Sequence, residues 1–71
     1  GSERAYFQGA ADAMGDAYRM VATGATSGDL ENAANGAYAT AAAMVGFPDA
    51  VAVFIGRGDA LINVAGWLFR V

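Results

Sequence analysis

Asn32-Ala33-Ala34-Asn35-Gly36-Ala37-Tyr38-Ala39-Thr40-Ala41-Ala42-Ala43-Met44-Val45-Gly46-Phe47-Pro48 is the stretch that decides the fold. It carries no charge, is crowded with alanine and is followed at once by Asp49. Leu30, Ala34, Ala37, Ala41 and Met44 recur at the spacing of one helix face. That spacing predicts a closely packed helix beginning at Thr26 or Ser27, where either hydroxyl accepts a hydrogen bond from a free amide of the first turn. Asp29 and Glu31 fall where the positive end of the helix dipole favours acids. Gly46 suits a left-handed cap, and Pro48 blocks continuation and opens a new segment. Asn32 and Asn35 mark the wet side. From Tyr38 onward nearly every position is apolar or small, which predicts cover on most sides.

Upstream, residues 4–22 read as another helix. Phe7, Ala11, Met14, Tyr18 and Val21 follow the i, i+4, i+7 pattern of one apolar face, with Gln8, Asp12, Asp16 and Arg19 opposite. Gly9 and Gly15 each cost up to about 1 kcal/mol relative to alanine, and a tight neighbour would explain why they are tolerated. Thr23-Gly24-Ala25-Thr26-Ser27-Gly28 is a polar, glycine-punctuated loop. Two helices joined by so short a loop predict an antiparallel hairpin whose small residues let the axes approach closely.

Downstream, Pro48 and Asp49 make a good helix start, and Val51, Phe54 and Ile55 share a face. Gly56-Arg57-Gly58-Asp59 then interrupts the run. Asp59 is placed to cap a last helix over residues 60–70, with Leu61, Ala65, Leu68 and Trp67 on its apolar side. A β-hairpin over residues 50–64 competes with this reading, because Ala50 to Ile55 is β-rich and a four-residue loop follows.

Composition narrows the function. Seventy-one residues make one domain at most, and so short a chain buries only about 60% of its unfolded surface. With neither Cys nor His, disulfides are excluded and a zinc site is not expected. Stability must come from dense packing or from neighbours. The net charge of −3 and four scattered arginines offer no phosphate-neutralising patch, so sequence-specific nucleic-acid contact is not expected. Bulky apolar groups concentrate in residues 47–71, where Trp67 and Phe69 are candidate anchors for a partner. A membrane span needs about 20 strongly apolar residues. The uncharged run is too short, and the run from Ala50 is cut by Arg57 and Asp59, so membrane contact is expected only within an assembly.

Chemistry is sparse. The usual general base, thiol nucleophile and catalytic lysine are all absent. Asp12 and Asp16 lie side by side on a helix, as a metal or acid–base pair would, and equally as a solvated face beside Arg19 would. Arg57-Gly58-Asp59 is the cell-adhesion tripeptide, in what reads as a loop between apolar segments. Glu3-Arg4-Ala5-Tyr6-Phe7-Gln8-Gly9 fits the E-x-x-Y-x-Q-G pattern cut by a tag-removal protease. With the Gly-Ser start it raises an engineered origin for residues 1–9, although the helical pattern runs on through Phe7.

Tyr18-Arg19, the Thr23-Gly24 loop, Asp29-Leu30, the alanine-rich helix and Gly46-Phe47-Pro48 before an arginine-bearing segment together resemble helical segments of very large bacteriophage proteins, including internal virion proteins ejected with the genome. The resemblance covers about residues 17–57. Phe47 stands where those segments usually carry leucine in a Gly-Leu-Pro break, and Asp49 departs from their pattern. The resemblance implies a helical virion part without catalytic residues. A second similarity is to processed conjugative pilins, whose small charged loop between two apolar helices is matched by Gly56-Arg57-Gly58-Asp59.

The expected protein is all-α, an antiparallel helical hairpin plus a third apolar helical segment, forming a single domain over residues 1–71. Its expected role is structural and non-enzymatic, without cofactor or metal: a subunit of a multi-subunit particle such as a virion. The expected association surface is Ala34, Ala37, Ala41 and Met44 with Phe54, Leu61, Trp67 and Leu68, and the expected partner is protein, through self-association or a larger assembly. The alternatives are a pilin-like filament subunit at a cell surface and a small helical regulatory binding module.

Overall fold

A computed structural model describes residues 1–68. It contains three helices, α1 (Ser2–Ala22), α2 (Ser27–Ala43) and α3 (Pro48–Leu68), and no strand among the described residues. Two tight reversals, at residues 23–26 and 44–47, run the chain up, down and up. α2 is therefore antiparallel to both neighbours, and α3 is parallel to α1. The bundle measures 37 × 20 × 20 Å.

Local chemistry sets the helix ends. Thr26 caps α2: its hydroxyl accepts from the Asp29 amide at 3.2 Å, and the Asp29 carboxylate accepts from the Thr26 amide at 2.9 Å. This reciprocal pair is a capping box with aspartate in place of the usual glutamate. α1 closes with a Schellman motif. The Ala25 amide donates to the Met20 carbonyl and the Gly24 amide to the Val21 carbonyl, with Gly24 at φ +99°. The left-handed glycine is thus Gly24 and not Gly46. α2 ends at Ala43 with Met44 as its cap, and Pro48 opens α3 after a turn that needs no positive φ at Gly46.

α3 is the middle of the structure. Both other helices pack mainly on it, and they contact each other little. The alanine row of α2 therefore closes on α3: Leu30, Ala34, Ala37 and Ala41 are all buried within the chain. The core cluster joins Ala13, Ala17, Leu30, Ala34, Ala60, Leu61, Val64 and Ala65. Its largest fully buried side chains are Leu30 and Val64, so the core gains by proximity of backbones more than by bulk.

The α1–α3 contact explains two departures from the sequence reading. α1 fully buries Gly9, Ala13 and Ala17; of the expected row, Met14 and Val21 are partly buried against the core, while Phe7 and Tyr18 are exposed. α3 buries Gly56, Ala60 and Val64. Each set is spaced by four, so two rows of small residues meet. A Cβ on Gly9 would overlap the Val53 carbonyl oxygen, and one on Gly56 the Tyr6 carbonyl oxygen. The two approaches are reciprocal, each glycine lying against backbone of the other helix. Only glycine permits this approach. For the same reason α3 passes through Gly56-Arg57-Gly58-Asp59 without a break: the helix expected from residue 60 is present through Leu68 as the continuation of α3, without a start of its own at Asp59, and the β-hairpin over residues 50–64 does not form. Two glycines that weaken a helix locally are repaid by α1 at Gly56 and by the Tyr38 ring at Gly58. Gly15 meets only the Arg19 side chain, so no tight neighbour accounts for it.

Cover over the second half of α2 is one-sided. Ala39, Ala42 and Ala43 are exposed, because among the described residues α3 is the only helix that packs extensively on α2. Residues 1–9 are part of the bundle, with Gly9 buried and Tyr6 tied to Asp59.

Candidate interaction surface

One polar tie holds all three helices. Asp59, on the α3 face between α1 and α2, accepts from the Tyr6 hydroxyl at 2.5 Å and from the Tyr38 hydroxyl at 2.6 Å. Gly58 beside it leaves room for the Tyr38 ring, and the Tyr6 ring stands edge-on to Phe7 at 5.3 Å. The hydrogen bond to Asp59, then burial, then the nearby negative charge push the Tyr38 hydroxyl up to about 12, and the same causes raise Tyr6. Both phenols stay protonated and donating, which makes them ties and poor nucleophiles.

A second contact links α1 to α3. Arg57 donates to Asp16 at 2.8 Å, and Arg19 pairs with the same carboxylate. Arg57 first and Arg19 second hold Asp16 below the usual carboxylate range. The Asp16 carboxylate is thus turned to arginines. Among the described residues no group of three or more acidic, histidine or cysteine side chains could hold a metal ion, and no buried side-chain polar atom lacks a partner. The Arg57-Gly58-Asp59 tripeptide lies inside a helix with both charged ends engaged, so it offers no adhesion loop.

The tie has a pH signature. A raised tyrosine pKa contributes stability that is fully present below the unfolded value of 10.0 and is lost as pH rises through the folded value near 12. Thermal melts between pH 8 and 12 should therefore fall steeply at the alkaline end. A Tyr6→Phe/Tyr38→Phe chain should start about 1–2 kcal/mol less stable and show a flatter alkaline limb. An unchanged limb would remove the tie from the account. Asp16 acts oppositely, with a contribution present above 3.8 and lost on acidification, and small because the pair is exposed.

The residues expected to associate fall into two groups. Ala34, Ala37, Ala41 and Leu61 are buried in the chain's own core and are unavailable to a neighbour, because α3 covers them. Met44 and Phe54 are half-buried. Trp67 and Leu68 are exposed at 53% and 44%. Phe69 and Arg70 lie outside the described residues. Sequence reading missed an apolar group at the opposite end: Val45 at 84%, Phe47 at 65% and Phe7 at 67% exposure. Phe47 and Pro48 line a shallow hollow with Asp49 and Ala50. The signal was present in Val45 and Phe47, which lie in a turn too short to be folded under. Because Gly9 faces Val53, Phe7 lies at the same end as this turn. Trp67 and Leu68 sit beside the α1–α2 connection at the other end.

Comparison with known protein families, with curated proteins and with solved structures finds no significant match.

Proposed function

We propose that the chain is a non-enzymatic assembly subunit, which associates with copies of itself or with a larger particle through its two apolar ends. The observation that carries this reading is the display of large apolar groups at both ends, with Val45, Phe47 and Phe7 at one and Trp67 and Leu68 at the other, while Tyr18 and Ile62 are exposed along the helices between them. Bulk is withheld from the core, where alanine suffices, and displayed where a neighbour would cover it. Two unlike patches at opposite ends suit a head-to-tail contact, which builds rings or filaments. The narrower form, a component of a phage virion, rests on the resemblance around Gly46-Phe47-Pro48.

Sedimentation of three chains tests the reading. The parent should grow in mass with concentration. Trp67→Ser/Leu68→Ser and Val45→Ser/Phe47→Ser should each remain monomeric, yet their mixture should form dimers through the one intact end on each. A parent that stays monomeric at all concentrations sinks the proposal. Dimers of either variant alone would replace head-to-tail contact by end-to-end pairing.

A second reading, the pilin-like filament subunit, is favoured by α3 itself. It is 21 residues long and contains an 18-residue window with a mean hydropathy of 1.3, which meets the length and composition of a membrane span, and 33% of that window is buried. Arg57 and Asp59, which interrupt it in sequence, both have partners on other helices. Flotation of the chain with liposomes would favour this reading over a particle component.

A further inference from the structure

We propose that the Gln8–Gly9 peptide bond is a latent processing site, masked by the packing of α1 on α3 and opened only when the start of α1 unwinds. Glu3-Arg4-Ala5-Tyr6-Phe7-Gln8-Gly9 meets the E-x-x-Y-x-Q-G requirement of a cysteine endoprotease class that reads Glu, Tyr and Gln side chains ahead of a small residue. Endoproteases of this kind bind substrate extended, as an added strand. The six steps from Glu3 to Gly9 would have to lengthen from about 9 Å to about 20 Å.

The fold displays part of this signal and hides the rest. Glu3, Phe7 and Gln8 are exposed, whereas Tyr6 is half-buried and Gly9 is buried. The Tyr6 hydroxyl is held by Asp59, its carbonyl oxygen faces Gly56, and Gly9 lies on the Val53 backbone. Extension must break all three contacts together with the first turns of the helix. Two of the recognised residues, Tyr6 and Gly9, are thus among those that fasten α1 to α3, while Gln8 itself faces solvent. Hydrolysis itself needs only water, which adds across the Gln8–Gly9 C–N bond to leave a carboxylate on Gln8 and an ammonium on Gly9. The product lacks Tyr6, so Asp59 keeps Tyr38 alone and Gly56 loses part of its cover. Once cut, the chain cannot restore the original α1–α3 contact.

The test uses the full chain and the tag-removal cysteine protease, with fragments 1–8 and 9–71 read by mass spectrometry. Cleavage through a pre-equilibrated open form reports its population. Ala13→Pro breaks α1 outside the recognised residues, and this chain should be cut at least about 100-fold faster than the parent. Asp59→Ala removes the acceptor of Tyr6 without touching the recognised residues and should be cut about tenfold faster than the parent, with its helix content checked by circular dichroism. Gln8→Ala in the Ala13→Pro background should be resistant. A parent cut as fast as Ala13→Pro would overturn the masking. An Ala13→Pro chain left intact at Gln8–Gly9, or one still cut there with Gln8→Ala, would overturn the site. An Asp59→Ala chain that keeps its helices and is cut at the parent's rate would overturn the part assigned to the Tyr6 tie.

Discussion

Gly56→Ala is expected to lower stability by about 2 kcal/mol, although it replaces a poor helix former by the best one. Helix propensity alone would favour the change by about 1 kcal/mol. Against this stands the new Cβ, which would overlap the Tyr6 carbonyl oxygen and lie 3.0 Å from its carbon and 3.1 Å from the Ala10 nitrogen. These are backbone atoms that no rotamer change can move, so α1 and α3 must separate. Separation also loosens Gly9 from Val53 and the alanine rows behind it. Overpacking of this kind costs about 1–3 kcal/mol, occasionally more, and a cost at the upper end outweighs propensity. The control is Gly36→Ala, in the interior of α2 with open space around it, which should raise stability by about 0.5–1 kcal/mol. Between two chemically identical substitutions the expected gap is near 3 kcal/mol, or on the order of 15 °C in midpoint for a domain of this size. Thermal melts followed by circular dichroism measure it directly. If Gly56→Ala melts at or above the parent, the close crossing of α1 and α3 is wrong.

Leu30→Ala should be the more damaging change, costing about 3–4 kcal/mol. Leucine-to-alanine losses in cores run from about 2.7 to 5.0 kcal/mol and grow with the cavity that remains. Leu30 is fully buried in a cluster that includes Ala13, Ala17, Ala34, Ala60 and Ala65. Alanine neighbours have no side-chain freedom with which to fill a void, so the cavity should persist. A loss of this size is a large part of the whole stability of a small domain, and urea unfolding would show either a much lower midpoint or no folded baseline. Leu68→Ala, at a half-exposed position, should shift the midpoint little. A comparable shift at both sites would contradict the assigned core.

What could be read from the residues, and what could not, separates by the range of the interaction. α2 was legible because its signals are local: the Thr26–Asp29 cap, the Leu30, Ala34, Ala37, Ala41 row and the stop before Pro48. The all-α architecture followed from it. α1 was read in part on the wrong face because bulk was taken as the mark of the inside. With α3 so close, only Gly9, Ala13 and Ala17 fit there, and Phe7 and Tyr18 face outward. Gly56 and Gly58 were read as an interruption for the same reason. Their effect on the helix is visible in the sequence, but the backbone and ring that offset it come from Tyr6, Ala10 and Tyr38, far away along the chain. The candidate surface was legible at Trp67 and Leu68. Its other half was misassigned to Ala34, Ala37, Ala41 and Leu61, because an apolar row does not say whether its partner is the chain itself or a neighbour.

The central position of α3 also sets an order in time. Tyr38 and Asp59 are 21 residues apart, whereas Tyr6 and Asp59 are 53 apart. Closing the longer loop costs about 0.8 kcal/mol more, so α2 and α3 should pair before α1 joins. During synthesis the order is stricter. α1 leaves the ribosome first, yet the surface it docks on is made last. Until Gly56, Ala60 and Val64 have emerged, α1 has only the narrow edge of α2 to rest on. A nascent chain halted before residue 56 should therefore hold α1 undocked, and its folding must be completed after translation has passed most of α3.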